Sequence, residues 1–327
     1  MTRTLVATFE LDANARAIVT GIVGDAAQVM SLAGLDGAGR AAALRGASVV
    51  LTRNTARELA KEELPLLAGV ALIQFIPAGI DFIPIGDLPP GVRVASNAGA
   101  YSQPMAEHAM TLALAAAKRL LHEHAALARG EFNQQVPNRM LAGLVGGILG
   151  FGGIGQATAR LMRAFGMRVH AVNRSGKTSE PVDWIGATAK LDELLAASDV
   201  LVISMPLTRK TVGLIGPREL GLMKPDAILV NLARGEIIDE AALFAHLQAH
   251  PRFTACIDAW WVEPVRHGSF RMDHPFMTLP NVIGSPHNSG VVPQTGVVAM
   301  KSAAANCLRA LRGETVHNIV KPEDRFL

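Results

Sequence analysis

The chain has 327 residues, of which 50% are hydrophobic, 5% aromatic and 18% charged, and 31 Lys and Arg against 28 Asp and Glu give a net charge of +3. This length predicts about two domains, and the composition excludes disordered and collagen-like chains. The basic residues are scattered rather than gathered into runs, so we expect no nucleic-acid partner.

The first hundred residues alternate short β-branched runs with helical patterns, which predicts βαβ units and a parallel sheet. A long helix rich in Ala and Leu is predicted over 104–127, with Ser102 as its N-cap. The alternation starts again from Val145 and continues to a last helix over 293–311. The predicted strands are 5–9, 49–52, 70–75, 147–150, 168–172, 200–204, 228–232, 254–258 and 282–284, with a helix over 55–67.

Cysteine usage and the absence of a targeting pattern predict a cytoplasmic protein. Cys256 and Cys307 form no C-x-x-C pair and lie in apolar stretches, so we expect reduced, buried thiols rather than a disulfide or a zinc site. Charged residues interrupt the first twenty positions, which does not fit a signal peptide. The uncharged segment 140–159 contains seven glycines, so it is a poor membrane helix and no membrane partner is expected.

A glycine-rich turn lies at 149–155, which reads L-G-F-G-G-I-G. Gly150 permits a tight turn, Gly152 lets the backbone approach a pyrophosphate, and Gly155 lets the following helix pack closely on the strand. Gly153 and Ile154 open that helix, whose N-terminal N–H groups would face the phosphates. G-x-G-x-x-G alone is a weak signal, but the strand before it and the helix and strand after it predict dinucleotide binding.

The residue that would contact the adenosine ribose is Asn173, at the end of the next strand, where an acid is usual. Without that repelling charge, and with Arg174, Ser175 and Lys177 offering two cations and a hydroxyl, the segment suits the 2′-phosphate of NADP. In the alternative interpretation, Arg174 and Lys177 are solvated loop charges and Asn173 serves the ribose of NAD. We therefore expect NADP as the preferred cofactor, or NAD.

Polar residues follow three further predicted strands, where open α/β sheets bind ligands. Arg234 follows one strand, Asp258 and Glu263 follow the next, and His287 follows the last. A cation, a carboxylate and an imidazole at successive strand ends could bind an anion and move a proton. Singly, each of these residues also fits an ordinary structural or surface position.

In this order, and downstream of the glycine turn, these motifs resemble the D-isomer-specific 2-hydroxyacid dehydrogenase family. The likeness is strong from Gly99 to Gly290, including the M-A-E-H segment at 105–108, and is weaker in the first seventy residues. It implies an NAD(P)-dependent enzyme that reduces a small 2-oxoacid, such as glyoxylate or hydroxypyruvate, to the D-2-hydroxyacid. It also implies a homodimer formed by the dinucleotide-binding unit.

The resemblance also implies the role of each catalytic residue. Arg234 would hold the substrate carboxylate and carbonyl oxygen, because a guanidinium fork matches that geometry. His287 would be the general acid/base, and Glu263 would pair with it, orient its ring and raise its pKa.

Five other residues gain binding roles from the same resemblance. Asp258 would accept from the nicotinamide carboxamide, and Pro206 and Thr211 would join the cofactor site. The backbone around Ala78 and Gly79 would clasp the substrate carboxylate.

Several departures from the family pattern affect the expected site. Gly146 stands where a β-branched residue is usual, which would loosen the first strand of the dinucleotide domain. The width of the substrate pocket is expected to depend on Phe75, Tyr101 and Trp261. The related formate dehydrogenases carry Gln in place of Glu263, which favours a 2-oxoacid reductase. The remaining histidines lack metal-ligand spacing, so no metal is expected.

The resulting prediction is an α/β protein with two Rossmann-like, doubly wound parallel sheets and a cleft between them. Residues 99–288 would form the dinucleotide-binding Rossmann domain. Residues 1–98 with 289–327 would form a discontinuous, flavodoxin-like substrate domain. A phosphoglycerate-type dehydrogenase and a dinucleotide-sensing binding protein on the same fold remain alternatives.

Overall fold

The computed structural model describes residues 3–321 and residue 324, which fall into two compact units. One unit holds the described residues up to Tyr101 and from Val292 onward, and the other holds Ser102–Val291. Each unit is built on its own parallel sheet with helices. The predicted α/β class with two parallel sheets is confirmed.

Short strands form both sheets, and each bonds to its neighbours in parallel. They are β1 Thr4–Ala7, β2 Gln28–Ser31, β3 Val49–Thr52, β4 Leu72–Phe75, β5 Val94–Ala95, β6 Val145–Leu149, β7 Arg168–Val172, β8 Trp184–Gly186, β9 Val200–Ile203, β10 Ile228–Asn231, β11 Thr254–Ile257 and β12 Val282–Gly284. Within the described ranges, the first unit has strand order β2-β1-β3-β4-β5 and the second has β12-β11-β10-β9-β6-β7-β8.

The helices that connect these strands differ greatly in length. They are α1 Ala13–Val23, α2 Gly37–Arg45, α3 Thr55–Glu58, α4 Ser102–Ala117, α5 Leu120–Ala128, α6 Gly153–Ala164, α7 Leu191–Ala197, α8 Pro217–Leu222, α9 Glu240–Ala249, α10 Pro264–His267 and α11 Thr295–Arg312. Short 3-10 segments lie between several of them, including Lys61–Gly69 and Gly235–Ile237.

Side chains alternate between the two faces of the first sheet. Val49 and Leu51 of β3 lie in one apolar cluster, whereas Val50 lies in another. Ala303 and Cys307 of α11 belong to the Val49 cluster, so the last helix is part of the first unit. Both faces are covered, which explains why these strands are continuous apolar runs rather than alternating ones.

Gly146 lies in a strand of the second unit that is paired on both sides. The strand β6 pairs residue by residue with β7 and β9, with Gly146 opposite Val169 and Val200. A Cβ at Gly146 would lie 2.5 Å from the Met162 Sδ on α6. The expectation of a loosened strand is therefore wrong, because β6 is paired on both sides and the space beside Gly146 is filled by the Met162 side chain.

Two helix predictions are wrong. The segment 55–67 is α3 followed by the 3-10 segment Lys61–Gly69, which contains Pro65, and proline cannot continue an α-helix hydrogen-bond ladder. The segment 104–127 is broken at Arg119, which has a left-handed φ of 52°. Ser102 lies inside α4, and its buried hydroxyl has no hydrogen-bond partner in the described residues, so it caps nothing.

Candidate active site

The glycine turn connects β6 to α6 with the local geometry that the sequence predicts. Gly150 has φ 98°, and a Cβ there would lie 2.5 Å from the Met205 amide nitrogen. A Cβ at Gly155 would lie 2.5 Å from the Gly150 carbonyl oxygen. By contrast, Gly152 is exposed, and no described atom would lie within 4 Å of an added Cβ.

The turn therefore leaves an open approach at the N-terminus of a twelve-residue helix. Gly153 and Ile154 are its first residues, and the first N–H groups of an α-helix have no partner within the helix. These N–H groups and the helix dipole attract anions. The residues present fit the pyrophosphate of a dinucleotide.

The loop after β7 is folded by the Asn173 side chain. Its Oδ1 accepts from the backbone N–H of Ser175 at 3.0 Å and of Gly176 at 2.7 Å, and from the Ser175 hydroxyl at 3.2 Å. Its Nδ2 donates to the Lys177 carbonyl at 2.8 Å. Asn173 thus shapes the loop on which Arg174 and Lys177 are exposed.

The turn after β9 is shaped by Thr211 in a similar way. Its buried hydroxyl donates to the Pro206 carbonyl at 3.0 Å and accepts from the Thr208 N–H at 2.7 Å. Pro206 itself is exposed at the start of the turn. Thr211 therefore acts on the shape of this turn through its own hydroxyl.

His287 and Glu263 form an ion pair at the ends of neighbouring strands. The His287 Nδ1 lies 2.7 Å from the Glu263 Oε1 and 2.8 Å from Oε2. The carboxylate is only 5% exposed, and its Oε1 also accepts from the Trp260 N–H at 2.7 Å. Burial by itself would raise the pKa of Glu263, but the His287 hydrogen bond, the Trp260 N–H and the Arg234 charge outweigh burial and lower it.

Arg234 follows β10, the neighbour of the strand that precedes Glu263. Its side chain is partly buried, and its Nη1 donates to the Ala233 carbonyl at 2.7 Å. The Asn231 amide donates to the Arg234 carbonyl at 2.9 Å, which fixes the backbone at this strand end. The structure thus brings Arg234, Glu263 and His287 to the carboxyl ends of β10, β11 and β12.

Asp258 holds the loop that carries His287. His287 has a left-handed φ of 51°, which is unfavourable for most side chains. The fully buried Asp258 carboxylate accepts from the N–H groups of Asn288 at 3.2 Å and Ser289 at 3.3 Å. It also accepts from the Ser285 hydroxyl at 2.6 Å, which lies 3.0 Å from the His108 Nε2. Both carboxylate oxygens are therefore already engaged within the protein.

Comparison with known proteins identifies the family. Residues 110–289 match the family model for the D-isomer specific 2-hydroxyacid dehydrogenase NAD binding domain. A glyoxylate reductase from Thermococcus gammatolerans is 34% identical over 241 residues, which cover 71% of this chain and 70% of the relative. The chain belongs to the D-isomer specific 2-hydroxyacid dehydrogenase family. The predicted family is confirmed.

Other members of the family differ in length and name. A D-3-phosphoglycerate dehydrogenase from Methanocaldococcus jannaschii is 34% identical over 70% of this chain, but the match spans only 43% of that relative. A crystal structure from Pyrobaculum aerophilum, provisionally named a formate dehydrogenase, has 28% identity, a TM-score of 0.81 and 99% coverage of both chains. A D-isomer specific 2-hydroxyacid dehydrogenase from Xanthobacter autotrophicus Py2, solved with NADPH and MES, has 25% identity, a TM-score of 0.79 and coverage of 98% and 99%.

The loop that the family resemblance assigns to the carboxylate lies in the first unit. Ala78 and Gly79 follow β4 and are partly buried. Asn97 anchors this loop, since its N–H donates to the Pro77 carbonyl at 3.1 Å and its amide donates to the Ile76 carbonyl at 2.9 Å. The role of Ala78 and Gly79 stays a prediction.

The three aromatic residues expected to set the pocket width are placed differently from one another. Phe75 is fully buried in the core of the first unit, so its assignment to the pocket is wrong. Tyr101 donates to the Ile76 carbonyl at 3.2 Å. Trp261 stacks on Phe276, with ring centroids 5.3 Å apart, and its indole N–H donates to the Ile238 carbonyl at 2.8 Å. Contacts within each unit therefore fix Tyr101 and Trp261.

The described part of the chain offers neither a metal site nor a membrane-spanning helix. No cluster of three or more His, Cys, Asp or Glu side chains in that part could hold a metal ion. Likewise, none of its helices has the length and apolar character needed to cross a membrane.

Sequence reasoning missed the residues that support the catalytic candidates. Ser285 and His108 complete the hydrogen-bond chain to Asp258, and the Trp260 indole donates to the Ser285 carbonyl at 2.8 Å. His108 belongs to the M-A-E-H segment and Ser285 lies close to His287 in the sequence. The neighbouring motifs could therefore have identified both as candidate site residues. What the sequence did not contain was the direction of each side chain.

Proposed function

We propose that the chain is an NAD(P)-dependent reductase of a small 2-oxoacid, of the glyoxylate or hydroxypyruvate type, that forms the D-2-hydroxyacid. The observation that carries this proposal is the buried ion pair of Glu263 with His287, in the same unit as Arg234 and the glycine turn. This set of residues offers an anion-binding fork, a proton donor and a dinucleotide-binding turn.

The proposed chemistry assigns one task to each side chain. Because the His287 Nδ1 is hydrogen-bonded to Glu263, Nε2 is the ring nitrogen that gives a proton to the 2-oxo oxygen. The Arg234 guanidinium holds the substrate carboxylate and polarises the carbonyl. A bound nicotinamide dinucleotide supplies the hydride that reduces the 2-oxo carbon. Gly150, Gly152 and the first turn of α6 would hold its pyrophosphate.

For the cofactor, we propose a preference for NADP over NAD. Arg174 and Lys177 are exposed on a loop that Asn173 folds through four hydrogen bonds, and no acid stands at position 173 to repel a 2′-phosphate. The relative from Xanthobacter autotrophicus Py2 was solved with NADPH, which supports a cofactor site of this family that accepts a 2′-phosphate. Asp258 remains a proposed contact of the carboxamide, subject to a rearrangement of its present hydrogen bonds.

For the assembly, we propose a homodimer. Beyond the buried face of α4, the segment 120–140 exposes large apolar side chains, which favours a homodimer through this region. These side chains are Leu120, Leu121, Leu127, Phe132 and Met140. Sedimentation velocity of the wild type and a Leu121→Ser/Phe132→Ser variant tests the dimer.

For the compartment, we propose the cytoplasm. Both cysteines are buried free thiols, which supports a reducing compartment.

A substrate panel tests the proposed activity. Glyoxylate, hydroxypyruvate, branched 2-oxoacids and 3-phosphohydroxypyruvate are each supplied with NADPH and NADH, and formate oxidation is assayed in parallel. We expect turnover of an unphosphorylated 2-oxoacid with NADPH and a D-configured product on chiral chromatography. Preference for 3-phosphohydroxypyruvate would favour the phosphoglycerate-type alternative. Dinucleotide binding without any turnover would favour a sensing protein.

A further inference from the structure

A bidentate ion pair joins the loops that carry two of the proposed catalytic side chains. Glu236 lies in the 3-10 segment Gly235–Ile237, which begins directly after Arg234. Arg266 lies in α10, which begins directly after Glu263. The Arg266 Nη1 donates to the Glu236 Oε2 at 2.9 Å, and Nη2 lies 2.6 Å from Oε1.

The burial of this pair distinguishes it from the ion pairs on the protein surface. The Arg266 side chain is 7% exposed and the Glu236 side chain 23%, whereas the Arg218 and Asp192 side chains of another pair are 62% and 52% exposed. Exposed pairs contribute little, because water screens them and their side chains lose freedom. A buried fork of two parallel hydrogen bonds fixes geometry more strongly, and removal of one partner leaves an uncompensated charge.

The two loops are in close contact beyond the ends of their strands. The ladder between β10 and β11 reaches Asn231 and Ile257. Past that point, a Cβ on Gly235 would lie 2.4 Å from the Trp260 carbonyl carbon, so the backbones touch there. The Trp261 indole N–H donates to the Ile238 carbonyl, again from one loop to the other. The Arg266–Glu236 pair adds a charged fork to these contacts.

We propose that Arg266 and Glu236 are positioning residues that fix Arg234 relative to the Glu263–His287 pair during reduction. This inference rests on the proposed function. The His287 hydrogen bond is the main influence that lowers the pKa of Glu263 against burial, and the Arg234 charge adds a smaller contribution, so side chains of both loops act on the same carboxylate. A change of about 1 Å between the carboxylate-binding fork and the proton donor can cost about 10²-fold in rate.

The chain offers a matched control for an effect on stability alone. Arg40 donates to both carboxylate oxygens of Glu63, at 2.7 and 2.8 Å, and the two side chains are 25% and 12% exposed. This pair joins α2 to the 3-10 segment Lys61–Gly69 in the first unit. It has the same chemistry as Arg266–Glu236 and no proposed part in the reaction.

Kinetics of Arg266→Gln, Glu236→Gln, the double variant, Arg266→Lys and Arg40→Gln test the proposal. With the best 2-oxoacid, we expect each single Gln variant at 236 or 266 to lower kcat about tenfold or more, with NADPH affinity by fluorescence within about twofold of wild type. The double variant should be no worse than the more damaged single variant, because the two residues act as one unit. Arg266→Lys, which keeps the charge without the fork, should recover part of kcat.

The Arg40→Gln control and the wild-type enzyme distinguish failure of the positioning role from failure of the proposed function. Arg40→Gln should lower the melting temperature and leave kcat unchanged. If Arg266→Gln behaves like Arg40→Gln, or if the two single effects simply add, the positioning role is wrong while the proposed function stands. If Arg266→Gln does not fold, Glu236→Gln and Arg266→Lys give the same comparison. A wild type that turns over no 2-oxoacid overturns the proposed function, and this inference with it.

Discussion

The His287 Nδ1 lies 2.7 and 2.8 Å from the two oxygens of the Glu263 carboxylate. The carboxylate is nearly buried and also accepts from the Trp260 N–H, so it has little freedom to follow another partner. This contact fixes the orientation of the imidazole and leaves Nε2 as the ring nitrogen for proton transfer. The proposed proton transfer depends on this contact.

Loss of the Glu263 charge should slow catalysis without weakening substrate binding to the same degree. Glu263→Gln keeps the size of the side chain but removes the negative charge that lies beside the His287 Nδ1. We expect kcat to fall about 10²-fold, within the range of general acid/base effects, with KM for the 2-oxoacid changed less. Steady-state kinetics checks this, with the exposed Glu314→Gln as control. An unchanged kcat would show that the ion pair has no part in the reaction.

Two substitutions in the glycine turn should distinguish an effect on NADPH binding from an effect on the stability of the fold. Gly152→Ala adds a methyl group in open space, so the melting temperature should stay the same while NADPH affinity falls about tenfold or more. Gly150→Ala forces a left-handed φ and a 2.5 Å contact with Met205, so it should destabilise the protein itself. Fluorescence titration and thermal melts measure both variants. Full NADPH affinity in Gly152→Ala would mean that no phosphate approaches there.

Cofactor preference should respond to the cations of the loop after β7. Arg174→Ala with Lys177→Ala should raise KM for NADPH about tenfold and leave KM for NADH nearly unchanged, because only NADPH carries the 2′-phosphate. The Asn173 hydrogen bonds that fold this loop are retained in this variant, since Lys177 contributes only its backbone carbonyl to them. Equal effects on both cofactors, or a wild type that prefers NADH about tenfold, would contradict the NADP assignment.

Acid stability should depend on Asp199, which lies at the base of the second sheet. Its carboxylate accepts from Arg139 at 2.9 Å, Lys224 at 2.8 Å and the Val145 N–H at 2.8 Å. Burial would raise its pKa, but the Lys224 and Val145 hydrogen bonds and the two cations lower it below the usual value. A lowered folded-state pKa stabilises the protein above the unfolded-state pKa, and this contribution disappears as pH falls through the folded-state value.

Asp199→Asn should therefore be less stable than wild type at neutral pH, and the difference should shrink as the pH falls through the lowered folded-state pKa of Asp199. Calorimetric melts across this range measure the effect. Asp192→Asn, which removes an exposed ion pair with Arg218, is the control and should change stability little at neutral pH. A pH-independent difference for Asp199→Asn would assign its effect to packing rather than charge.

Much of the fold follows from local sequence patterns. The β-branched runs predict β3, β7 and β12 residue for residue, because β-branched side chains favour the extended backbone of a strand. The strands β2, β5 and β8 are not predicted, since each contains a single β-branched residue. The break at Arg119 was also missed. At this break the Ala117 carbonyl at the end of α4 accepts from the Arg139 N–H, a contact between residues that are distant in sequence.

The candidate site, like the fold, could be predicted only in part from the sequence. Arg234, Glu263 and His287 could be located because each follows a predicted strand, and the carboxyl ends of parallel strands share one edge of a sheet. Two features could not be predicted. They are the hydrogen bonds that engage both carboxylate oxygens of Asp258 and the pairing of Arg266 with Glu236. Both depend on the path of loops after the strand ends, which sequence spacing does not determine.

The most direct test of the account is the turnover of 2-oxoacids by Arg234→Ala and His287→Asn, with NADPH affinity measured on the same samples. Asn tolerates the left-handed φ of 51° at position 287 better than Ala, so this variant isolates the loss of the imidazole. We predict that kcat of His287→Asn falls about 10²- to 10⁴-fold, that kcat/KM of Arg234→Ala falls by a similar factor, and that both bind NADPH normally. Wild-type turnover of every 2-oxoacid by either variant would contradict the catalytic assignment.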